Sequence, residues 1–515
     1  MQAYDAVVIG SGVSGSIAAL LLSKLGYSTL LVEKGTHPRF ALGESATPVM
    51  SQKIRNLGKV YDVPELIELS SYDHIMASKE PFMCGPKELF HYFMHEPGQT
   101  SAQVDGRFRE IVVQTPEVDT QFLRSELDKR LVEYAIKYGV KYVDMTELLD
   151  AEFNDDGVRL RLQKKDGAPY EATSRFLIDA TGFRSLLSKK FDLRVPEAEL
   201  DTPLRSRCIF THFENIGSLE DAVGNDEGFN RRLKIDRLRA TQHHCFDGGW
   251  FWTIPFDNGV TSVGINLDMD KHPMNDLPAE EEFWSFTRRF PIVNAMLEGR
   301  KNIMPFAKTG SLQFRTRHAV GDRWALLPAA AIGIDAWFST GLGMNLIAIH
   351  RLIEALHNKA FAKNDFRAEH FRQYEESMFR EWYYITRMVD GIYKSFKHYD
   401  IFKSYCFMCF MGAESYVIGG GLQRPNDPTA LLLNVGNPVF IEHFQRVYAK
   451  VLECSRRETV SAEEIESLRS YLQKEMRPFN YRDYGNPQYD GVHYRVRKND
   501  DVHEPVREAV HAADA

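Results

Sequence analysis

The sequence predicts an α/β fold in three parts: an N-terminal βαβ unit, a central antiparallel sheet and a C-terminal helical region. Residues 4–32 run as strand, glycine-rich turn, helix and strand. Residues 195–300 alternate polar with apolar positions and carry many aromatic residues, which is typical of antiparallel strands. From Phe371 to Phe396, apolar residues recur every three or four positions, which indicates an amphipathic helix.

Length and composition limit the class of protein. The chain has 515 residues, so two or three structural units are expected. Its 43% hydrophobic and 26% charged residues are typical of a soluble globular protein. The formal net charge of −8 argues against nucleic acid or an anionic membrane as the main partner. No apolar run is long enough to span a bilayer and no basic leader precedes the first strand, so we expect a cytoplasmic location.

The βαβ unit carries the first functional motif. A strand at Tyr4–Ile9 is followed by a helix that Gly26 ends, and a second strand covers Ser28–Val32. The turn before the helix contains the three glycines Gly10-x-Gly12-x-x-Gly15.

Each glycine of that turn has a physical role. Gly10 permits the tight turn, Gly12 lets the backbone approach a pyrophosphate, and Gly15 lets helix and strand pack closely. The helix N-terminus offers free N–H groups to phosphates. Glu33, at the end of the second strand, is placed to bind ribose hydroxyls. The motif therefore predicts a dinucleotide site.

Residues 110–180 are predicted as a strand, a helix and further strands. Asp119-Thr120 is typical of a helix N-cap, so a helix is expected from there to about Tyr138. The strands are placed at Glu110–Val113, at Val140–Tyr170 with hairpin turns at Asp156-Gly157 and Asp166-Gly167, and at Phe176–Ala180.

Three more segments make FAD the expected dinucleotide. Ile178-Asp-Ala-Thr-Gly182 resembles the second fingerprint of flavoproteins, and Gly321-Asp322 resembles their late motif, whose acid binds the ribityl chain. Arg124 matches an arginine that often faces the cofactor, although an ordinary surface ion pair would look the same. Residues 1–355 thus resemble the glutathione-reductase-type, Rossmann-like FAD-binding fold.

A second dinucleotide fingerprint is not evident. Val417-Ile-Gly-Gly-Gly421 is not followed by a helical pattern, so we interpret it as a loop. The chain is therefore not expected to bind NADPH, and a separate NAD(P)H flavin reductase is expected to supply reduced FAD. Cys406-x-x-Cys409 has redox spacing in an apolar aromatic context, and a buried helix is the preferred interpretation.

The central sheet contains a specific string. Gly249-Trp-Phe-Trp-Thr-Ile-Pro255 matches the W-x-W-x-I-P motif of flavin-dependent halogenases through Trp250, Trp252, Ile254 and Pro255. Two core tryptophans on one strand face would share this spacing. Further segments agree with the family: His37–Pro48 resembles the halogenase stretch that wraps the cofactor.

The loop Asp335–Leu342 resembles the halogenase segment beside the flavin ring. In the family, backbone N–H groups there hold the halide, and Thr340 and Gly341 are the matching positions. A turn of N–H groups is a reasonable anion site. This sequence departs from the family at Ala336, where proline is usual.

Halogenases also need a lysine near the substrate. Met83–Phe90 matches the segment that carries it in the branch acting on phenols and related rings, which makes Lys87 the candidate. Lys79 is a nearby rival, and either lysine alone could be a solvated side chain.

The resemblance implies a full set of site residues. The expected catalytic residue is Lys87, and the halide is expected at Thr340 and Gly341, with no metal. The expected cofactor contacts are Gly10, Gly12, Val13, Ser14, Gly15, Glu33, Lys34, Arg39, Glu44, Ser45, Arg124, Asp322 and Leu342. Trp250, Trp252, Ile254 and Pro255 are expected to separate the substrate from the flavin, and Phe90 and Phe338 to line the substrate pocket.

The resemblance also implies a reaction and its partners. Reduced FAD, oxygen and chloride or bromide would give hypohalous acid, which Lys87 would deliver to a small aromatic substrate, free or carrier-bound. Tryptophan-halogenating members carry Glu where this chain has Phe338, so a phenolic, resorcinol-like or pyrrolic ring is expected. An aromatic hydroxylase of the same fold, and a flavoprotein that does not halogenate, remain alternatives.

Domain boundaries follow from these assignments. Residues 1–355 are expected to form the FAD-binding core, with a substrate-side sheet from about 76–104 and 195–300. Residues 356–515 are expected to form a helical cap over the substrate. The charged tail after about Tyr494 is expected to be loosely ordered.

Overall fold

The computed structural model describes residues 2–493. Within them the strands are β1 Gln2–Ile9, β2 Thr29–Val32, β3 Cys84–Met94, β4 Gln103–Val104, β5 Arg107–Phe108, β6 Glu110–Phe122, β7 Lys141–Val143, β8 Thr146–Asn154, β9 Gly157–Lys164, β10 Pro169–Asp179, β11 Ser206–Glu214, β12 Ala240–Phe246, β13 Gly249–Pro255, β14 Val260–Asp268, β15 Ala307–Lys308, β16 Phe314–Arg315, β17 Val320–Gly321, β18 Trp324–Leu326, β19 Ile332–Gly333 and β20 Val492–His493.

The α-helices of the same residues are α1 Val13–Lys24, α2 Pro48–Val60, α3 Pro64–Glu68, α4 Tyr72–Ala77, α5 Arg124–Lys137, α6 Leu186–Lys190, α7 Leu219–Ala222, α8 Glu227–Arg231, α9 Ala279–Thr287, α10 Pro291–Leu297, α11 Pro328–Ala331, α12 Thr340–Ala355, α13 Arg372–Ser395, α14 Tyr399–Ile418, α15 Pro438–Ser455 and α16 Ala462–Met476. Among these helices none has the length and apolar composition needed to cross a bilayer.

The first sheet is the dinucleotide-binding layer. Its main path is β17-β18-β10-β1-β2-β7, with β8 and β9 joined to it through β10. Strands β18, β10, β1, β2 and β7 run parallel, and the ends Ile9, Val32 and Asp179 are in register. In such sheets ligands bind beyond the carboxyl ends of the strands. The predicted βαβ unit is confirmed, and its glycine turn lies at that edge.

The second sheet has the order β15-β11-β14-β13-β12-β3-β6-β20 and is mostly antiparallel, as predicted. Two pairs, β12 with β3 and β20 with β6, are parallel. Every residue of β12 and β14 is buried, because both faces of this sheet are covered. Strand β6 is longer than the predicted Glu110–Val113 and carries the sheet on to Phe122.

The C-terminal part is helical, as predicted. Helix α13 carries the expected apolar stripe, and all of its members are buried: Phe371, Tyr374, Met378, Trp382, Ile385, Val389, Ile392 and Phe396. Helix α14 continues to Ile418, so Val417-Gly421 is a helix end followed by a turn. Cys406 and Cys409 lie buried in α14 as free thiols. The predicted tail after Tyr494 lies outside the described residues.

One local prediction was wrong. Asp119 and Thr120 do not cap a helix: both lie in β6, opposite Lys87 and Pro86 of β3. Helix α5 begins later, at Arg124, after Leu123, and its N-cap makes no side-chain hydrogen bond. Strand pairing with β3 therefore outweighs the local capping preference of the two polar side chains.

Candidate active site

A cavity of about 1040 Å³ opens at the carboxyl edge of the first sheet and extends to the second sheet. This is at the upper end of the usual size of ligand pockets. The structure brings these predicted site residues into its wall: Gly10, Gly12, Val13, Ser14, Glu33, Lys34, Arg39, Glu44, Ser45, Arg124, Trp250, Trp252, Ile254, Gly341 and Leu342.

The glycine turn fits a pyrophosphate. A Cβ at Gly10 would lie 2.6 Å from the Ala180 carbonyl oxygen, and one at Gly15 would lie 1.8 Å from that of Gly10, so both positions require glycine for packing. A Cβ at Gly12 would meet no protein atom closer than 3.8 Å. Gly12 therefore leaves a cradle at the N-terminus of α1, where a phosphate can approach the backbone.

Two arginines lie beside this cradle. The hypothetical Cβ of Gly12 would lie 3.8 Å from a guanidinium nitrogen of Arg39 and 3.9 Å from one of Arg124. Arg124 pairs with Asp128 at 2.8 Å and donates to the Gly43 carbonyl at 3.2 Å. Guanidinium groups held in this way are suited to a doubly charged pyrophosphate.

Glu33 is held as a carboxylate acceptor at the end of β2. It accepts hydrogen bonds from the Ser11 backbone N–H and hydroxyl, both at 3.0 Å, and from the Gly35 N–H at 2.9 Å. Burial works to raise its pKa, but these hydrogen bonds and the nearby Arg39 outweigh burial and lower the pKa. A carboxylate at this place matches the predicted ribose-binding acid.

The Glu44–Ser45 segment joins the two sheets. Glu44 accepts the Phe122 N–H at 2.6 Å through its carbonyl, and its carboxylate lies 2.9 Å from Nε2 of His212. Ser45 Oγ lies 2.7 Å from Thr241 Oγ1. Both Ser45 and Thr241 line the cavity.

Lys87 lies behind that segment. Its Nζ donates to Ser45 Oγ and to the Ala46 carbonyl, each at 2.7 Å, and lies 3.7 Å from the ring centre of Phe90. The side chain is fully buried, so it is not a solvated surface lysine. Lys87 does not line the cavity itself, but it contacts the serine that does. Lys79, by contrast, is exposed.

The two motif tryptophans are anchored in the second sheet. Their ring centres are 5.9 Å apart. Trp250 Nε1 donates to the Tyr393 hydroxyl at 2.9 Å, and that hydroxyl donates to Asp335 at 2.9 Å. Trp252 Nε1 donates to Ser262 at 3.2 Å. The chain from Trp250 through Tyr393 to Asp335 connects the motif to α13 and to the loop before α12.

That loop leads into the N-terminus of α12. Ser339 adopts a left-handed conformation (φ +51°), and the helix begins at Thr340. Gly341 lines the cavity, and its carbonyl accepts a hydrogen bond from Asn345, which in turn accepts one from Ser14. A helix N-terminus at this point provides N–H groups for an anion.

Several predicted residues lie away from the cavity wall. Pro255, Phe90, Phe338 and Thr340 are not part of it, and Gly15 serves packing. Phe338 contacts Trp337, and Phe90 contacts Phe410 on α14. Phe90 therefore packs against the C-terminal helices, whereas the ring contact of Phe338 is with its chain neighbour.

The structure does not bring Asp322 to the cavity. Trp324 pairs with Leu177 and Leu326 with Asp179, so Asp322 precedes β18 at the edge of the sheet opposite the cavity. It is exposed and accepts the Ala368 N–H at 2.8 Å. At the cavity edge the chain after β18 has Ala329 instead. Asp322 therefore does not correspond to the acid of the flavoprotein motif, because the residues at the cavity edge follow β18 and Asp322 precedes it.

Replacing Asp322 with alanine is therefore expected to leave FAD affinity within about twofold of the original, the usual range for a remote surface change. The quenching of flavin fluorescence on titration into apoprotein measures this. A tenfold or greater loss of FAD affinity would show that Asp322 belongs to the cofactor site.

Three residues of the site were missed by the sequence analysis. His243 lines the cavity, with its ring 4.5 Å from that of Tyr92. Its Nδ1 lies 3.0 Å from the His91 carbonyl, so Nδ1 carries the proton. Asp119 and Tyr393 were also missed. No local motif marks any of the three, since strand pairing and helix packing bring them to the site.

Comparison with known proteins identifies two matching families. The profile described as "FAD binding domain" matches residues 3–216, and the profile described as "Tryptophan halogenase" matches residues 112–406.

Individual relatives agree with these families. The chain is 33% identical over 428 residues to tetracycline 7-halogenase of Kitasatospora aureofaciens, covering 81% of this chain and 74% of the relative. It is 32% identical over 423 residues to monodechloroaminopyrrolnitrin halogenase PrnC of Pseudomonas fluorescens, covering 79% and 68%. The solved structure of halogenase PltM with phloroglucinol and FAD is similar to this chain with 25% sequence identity and a TM-score of 0.83. The match covers 92% of this chain and 96% of the PltM chain.

Proposed function

Because this chain belongs to the flavin-dependent halogenases, we propose that it halogenates an electron-rich aromatic ring with hypohalous acid delivered through Lys87. One observation carries the assignment of the lysine. The Nζ atom of Lys87 is buried and lies 2.7 Å from the hydroxyl of Ser45, a residue of the cavity wall. The lysine is thus separated from the cavity by a single side chain.

The glycine turn and its neighbours hold the cofactor. Gly12 and the N-terminus of α1 receive the pyrophosphate, Arg39 and Arg124 balance its charge, and Glu33 binds the ribose. When bound in reduced form, FAD would give two electrons to oxygen, and oxygen reduced to the peroxide level would then oxidise a halide to hypohalous acid.

The N-terminus of α12 holds the halide. The backbone N–H groups of Thr340 and Gly341 belong to the first turn of this helix, where helical partners are lacking. The positive end of the helix favours chloride or bromide there. Asn345 and Ser14 fix this turn relative to α1 through the hydrogen bonds described above.

The tryptophans keep the organic substrate apart from the flavin. Trp250 and Trp252 lie in the cavity wall with their indole N–H groups bonded to Tyr393 and Ser262. Rings anchored in this way do not rotate aside readily. An aromatic substrate on the side of the tryptophans away from the flavin is therefore accessible only to small oxidants such as hypohalous acid. Direct oxygen insertion into the substrate is thereby suppressed.

The substrate is proposed to be phenolic, resorcinol-like or pyrrolic. Phe338 stands in the sequence where tryptophan-halogenating members carry Glu, a carboxylate that would stabilise positive charge on a weakly activated indole carbon. A phenol or pyrrole supplies its own electrons and can do without that carboxylate. The relatives agree with such rings, since one is named for tetracycline and another structure contains phloroglucinol.

A panel of substrates tests this assignment. With an added NAD(P)H flavin reductase and chloride or bromide, we expect halogenated products from phenols, resorcinols and pyrroles, free or carrier-bound, and little product from tryptophan. Omission of the reductase should abolish turnover with NADPH, because no second dinucleotide fingerprint that could bind NADPH is evident in the sequence. Mass spectrometry of the products checks both points, and efficient chlorination of free tryptophan would contradict the role given to Phe338.

A further inference from the structure

On the basis of the function proposed above, we infer that Asp119 is the positioning residue that controls the proton of Lys87 and so makes its neutral amine available. Hypohalous acid would then halogenate the amine nitrogen, and would not merely be hydrogen-bonded by an ammonium group.

The two residues face each other across the second sheet. Lys87 of β3 and Asp119 of β6 are direct cross-strand partners, so their side chains leave the sheet on the same face. Both are essentially inaccessible to water, at 0% and 1% exposure. An irregularity in the pairing follows immediately, between Lys87 and Leu89. Thr115 Oγ1 lies 3.2 Å from the Lys87 carbonyl oxygen across this irregularity and donates its hydrogen to the Glu117 carbonyl at 2.6 Å.

The immediate surroundings of Nζ suit an amine. Its two hydrogen-bond partners, Ser45 Oγ and the Ala46 carbonyl, are neutral acceptors. Among residues 2–493 Nζ has these two oxygen partners, and Asp119 acts on it by charge without a hydrogen bond. An amine has two N–H groups, and these two acceptors use both. Its lone pair is then left free to attack an electrophile.

The hydrogen-bond directions around Ser45 are consistent with this arrangement. Since Ser45 Oγ accepts from Lys87, its own hydrogen is available to Thr241 Oγ1, 2.7 Å away. Thr241 can in turn donate to Gln121 Oε1, at the longer distance of 3.4 Å. The hydrogen bonds run from the lysine outward to β12 and β6, and within residues 2–493 no group donates to Nζ.

Asp119 has the capacity to hold a proton. Its Oδ1 accepts a hydrogen bond from Ser51 on α2 at 2.6 Å. Its Oδ2 is buried and has no hydrogen-bond partner among the described residues. A buried carboxylate with a single hydrogen bond is costly, and protonation removes that cost.

The other ionisable groups around the pair are either neutral or paired. His243 on β12 is neutral, because burial lowers its pKa to about 3. Glu88, next to the lysine, pairs with Arg239. Beyond Asp119, Glu117 pairs with Arg55 at 2.5 Å. Asp119 is therefore the charged group that acts most directly on Lys87.

The pKa directions support a shared proton. Burial lowers the pKa of Lys87 to about 7, although the charge on Asp119 opposes this. Burial raises the pKa of Asp119 to about 7, against the hydrogen bond from Ser51 and the charge on Lys87. Near neutral pH the pair can hold its proton on the carboxyl group and leave the lysine as an amine.

Halogen passes from hypohalous acid to the ring in two steps through the Lys87 amine. The amine lone pair attacks the halogen of hypohalous acid, so an N–halogen bond forms and the halogen–oxygen bond breaks. The departing hydroxide takes a proton from the nitrogen and leaves as water. The aromatic ring then attacks the halogen, the N–halogen electron pair returns to nitrogen, and the ring proton is released to restore the amine.

Lysine titration by NMR tests the inference without turnover. In protein labelled at the lysine side chains, we expect the Nζ resonance of Lys87, assigned with Lys87→Met, to titrate near pH 7. Asp119→Asn keeps the acceptor for Ser51 and removes the carboxylate charge, so it should lower that midpoint by roughly one pH unit or more. Lys53 is an internal control, since its pKa is about 7 through burial and Arg351, and its midpoint should not move.

The pH dependence of halogenation is the second readout. We expect the halogenation rate to rise with pH as Lys87 loses its proton. This rising limb of the pH–rate profile should move to lower pH in Asp119→Asn. If that variant does not fold, Ser51→Ala replaces it: loss of the Ser51 hydrogen bond raises the pKa of Asp119, and the limb should move in the same direction by a smaller amount. A rate that falls as Lys87 loses its proton would overturn the inference.

The proposed function and the inference about Asp119 can be refuted independently of each other. A protein that halogenates while Lys87 stays charged through pH 8 would overturn the inference and leave the proposed function intact. A protein whose Lys87 titrates as expected, but which halogenates no substrate of the panel, would refute the proposed function and still support control of the proton by Asp119.

Discussion

Replacement of Lys87 with alanine is expected to lower substrate halogenation at least ~10²-fold, the usual scale for loss of a positioned group that acts in the transition state. FAD binding, oxygen consumption and halide oxidation should persist, because Lys87 does not line the cavity. Free hypohalous acid should therefore be released and can be trapped with a reactive diketone. The ratio of trapped oxidant to halogenated substrate measures the effect.

Two further variants and one control sharpen this test. Lys87→Arg should not restore activity, because a guanidinium is bulkier and keeps its proton. Lys87→Met keeps the length of the buried side chain without the amine, and should behave as the alanine variant does. Lys79→Ala is the matched control, since Lys79 is exposed, and should halogenate as the original protein does. Normal halogenation by the Lys87→Ala protein would refute the role given to Lys87.

Gly12→Val is expected to weaken FAD binding by at least ~10²-fold while leaving the fold intact. The new side chain would meet no protein atom closer than 3.8 Å at its Cβ, so it extends into the space where the pyrophosphate approaches the backbone. Flavin titration into apoprotein gives the affinity, and circular dichroism verifies the fold.

The matched control for that substitution is Gly310→Ala. A Cβ at Gly310 has no neighbour within 4 Å, and its backbone is not left-handed, so this variant should bind FAD normally. Retention of tight FAD binding by Gly12→Val would refute the placement of the pyrophosphate at this turn.

Much of the fold could be predicted from local pattern. The βαβ unit followed from Gly10, Gly12 and Gly15 together with the flanking apolar runs, because each step of that motif is set by nearby residues. The stripe of α13 followed from its spacing for the same reason. Trp250 and Trp252 stood out because they share one strand face in a specific string, and the structure places both in the cavity wall.

Predictions that depended on tertiary pairing were less successful. Asp119 has the side chain of a helix cap, but pairing of β6 with β3 places it opposite Lys87. Asp322 has the local sequence of a cofactor-binding acid, but the direction and register of β18 place it at the far edge of the sheet. His243 and Tyr393 come from a strand and a helix 150 residues apart, so no local signal joins them to the site.

The most direct measurement of the central claim is the mass of the product formed with and without halide. The protein is incubated with FAD, a flavin reductase, NADH, oxygen and resorcinol, in buffers that contain chloride or bromide or neither. We expect a product in which halogen replaces hydrogen, with the mass following the halide supplied, and no modified resorcinol in the halide-free buffer. A product that gains an oxygen atom regardless of halide would contradict the account and identify the chain as a hydroxylase.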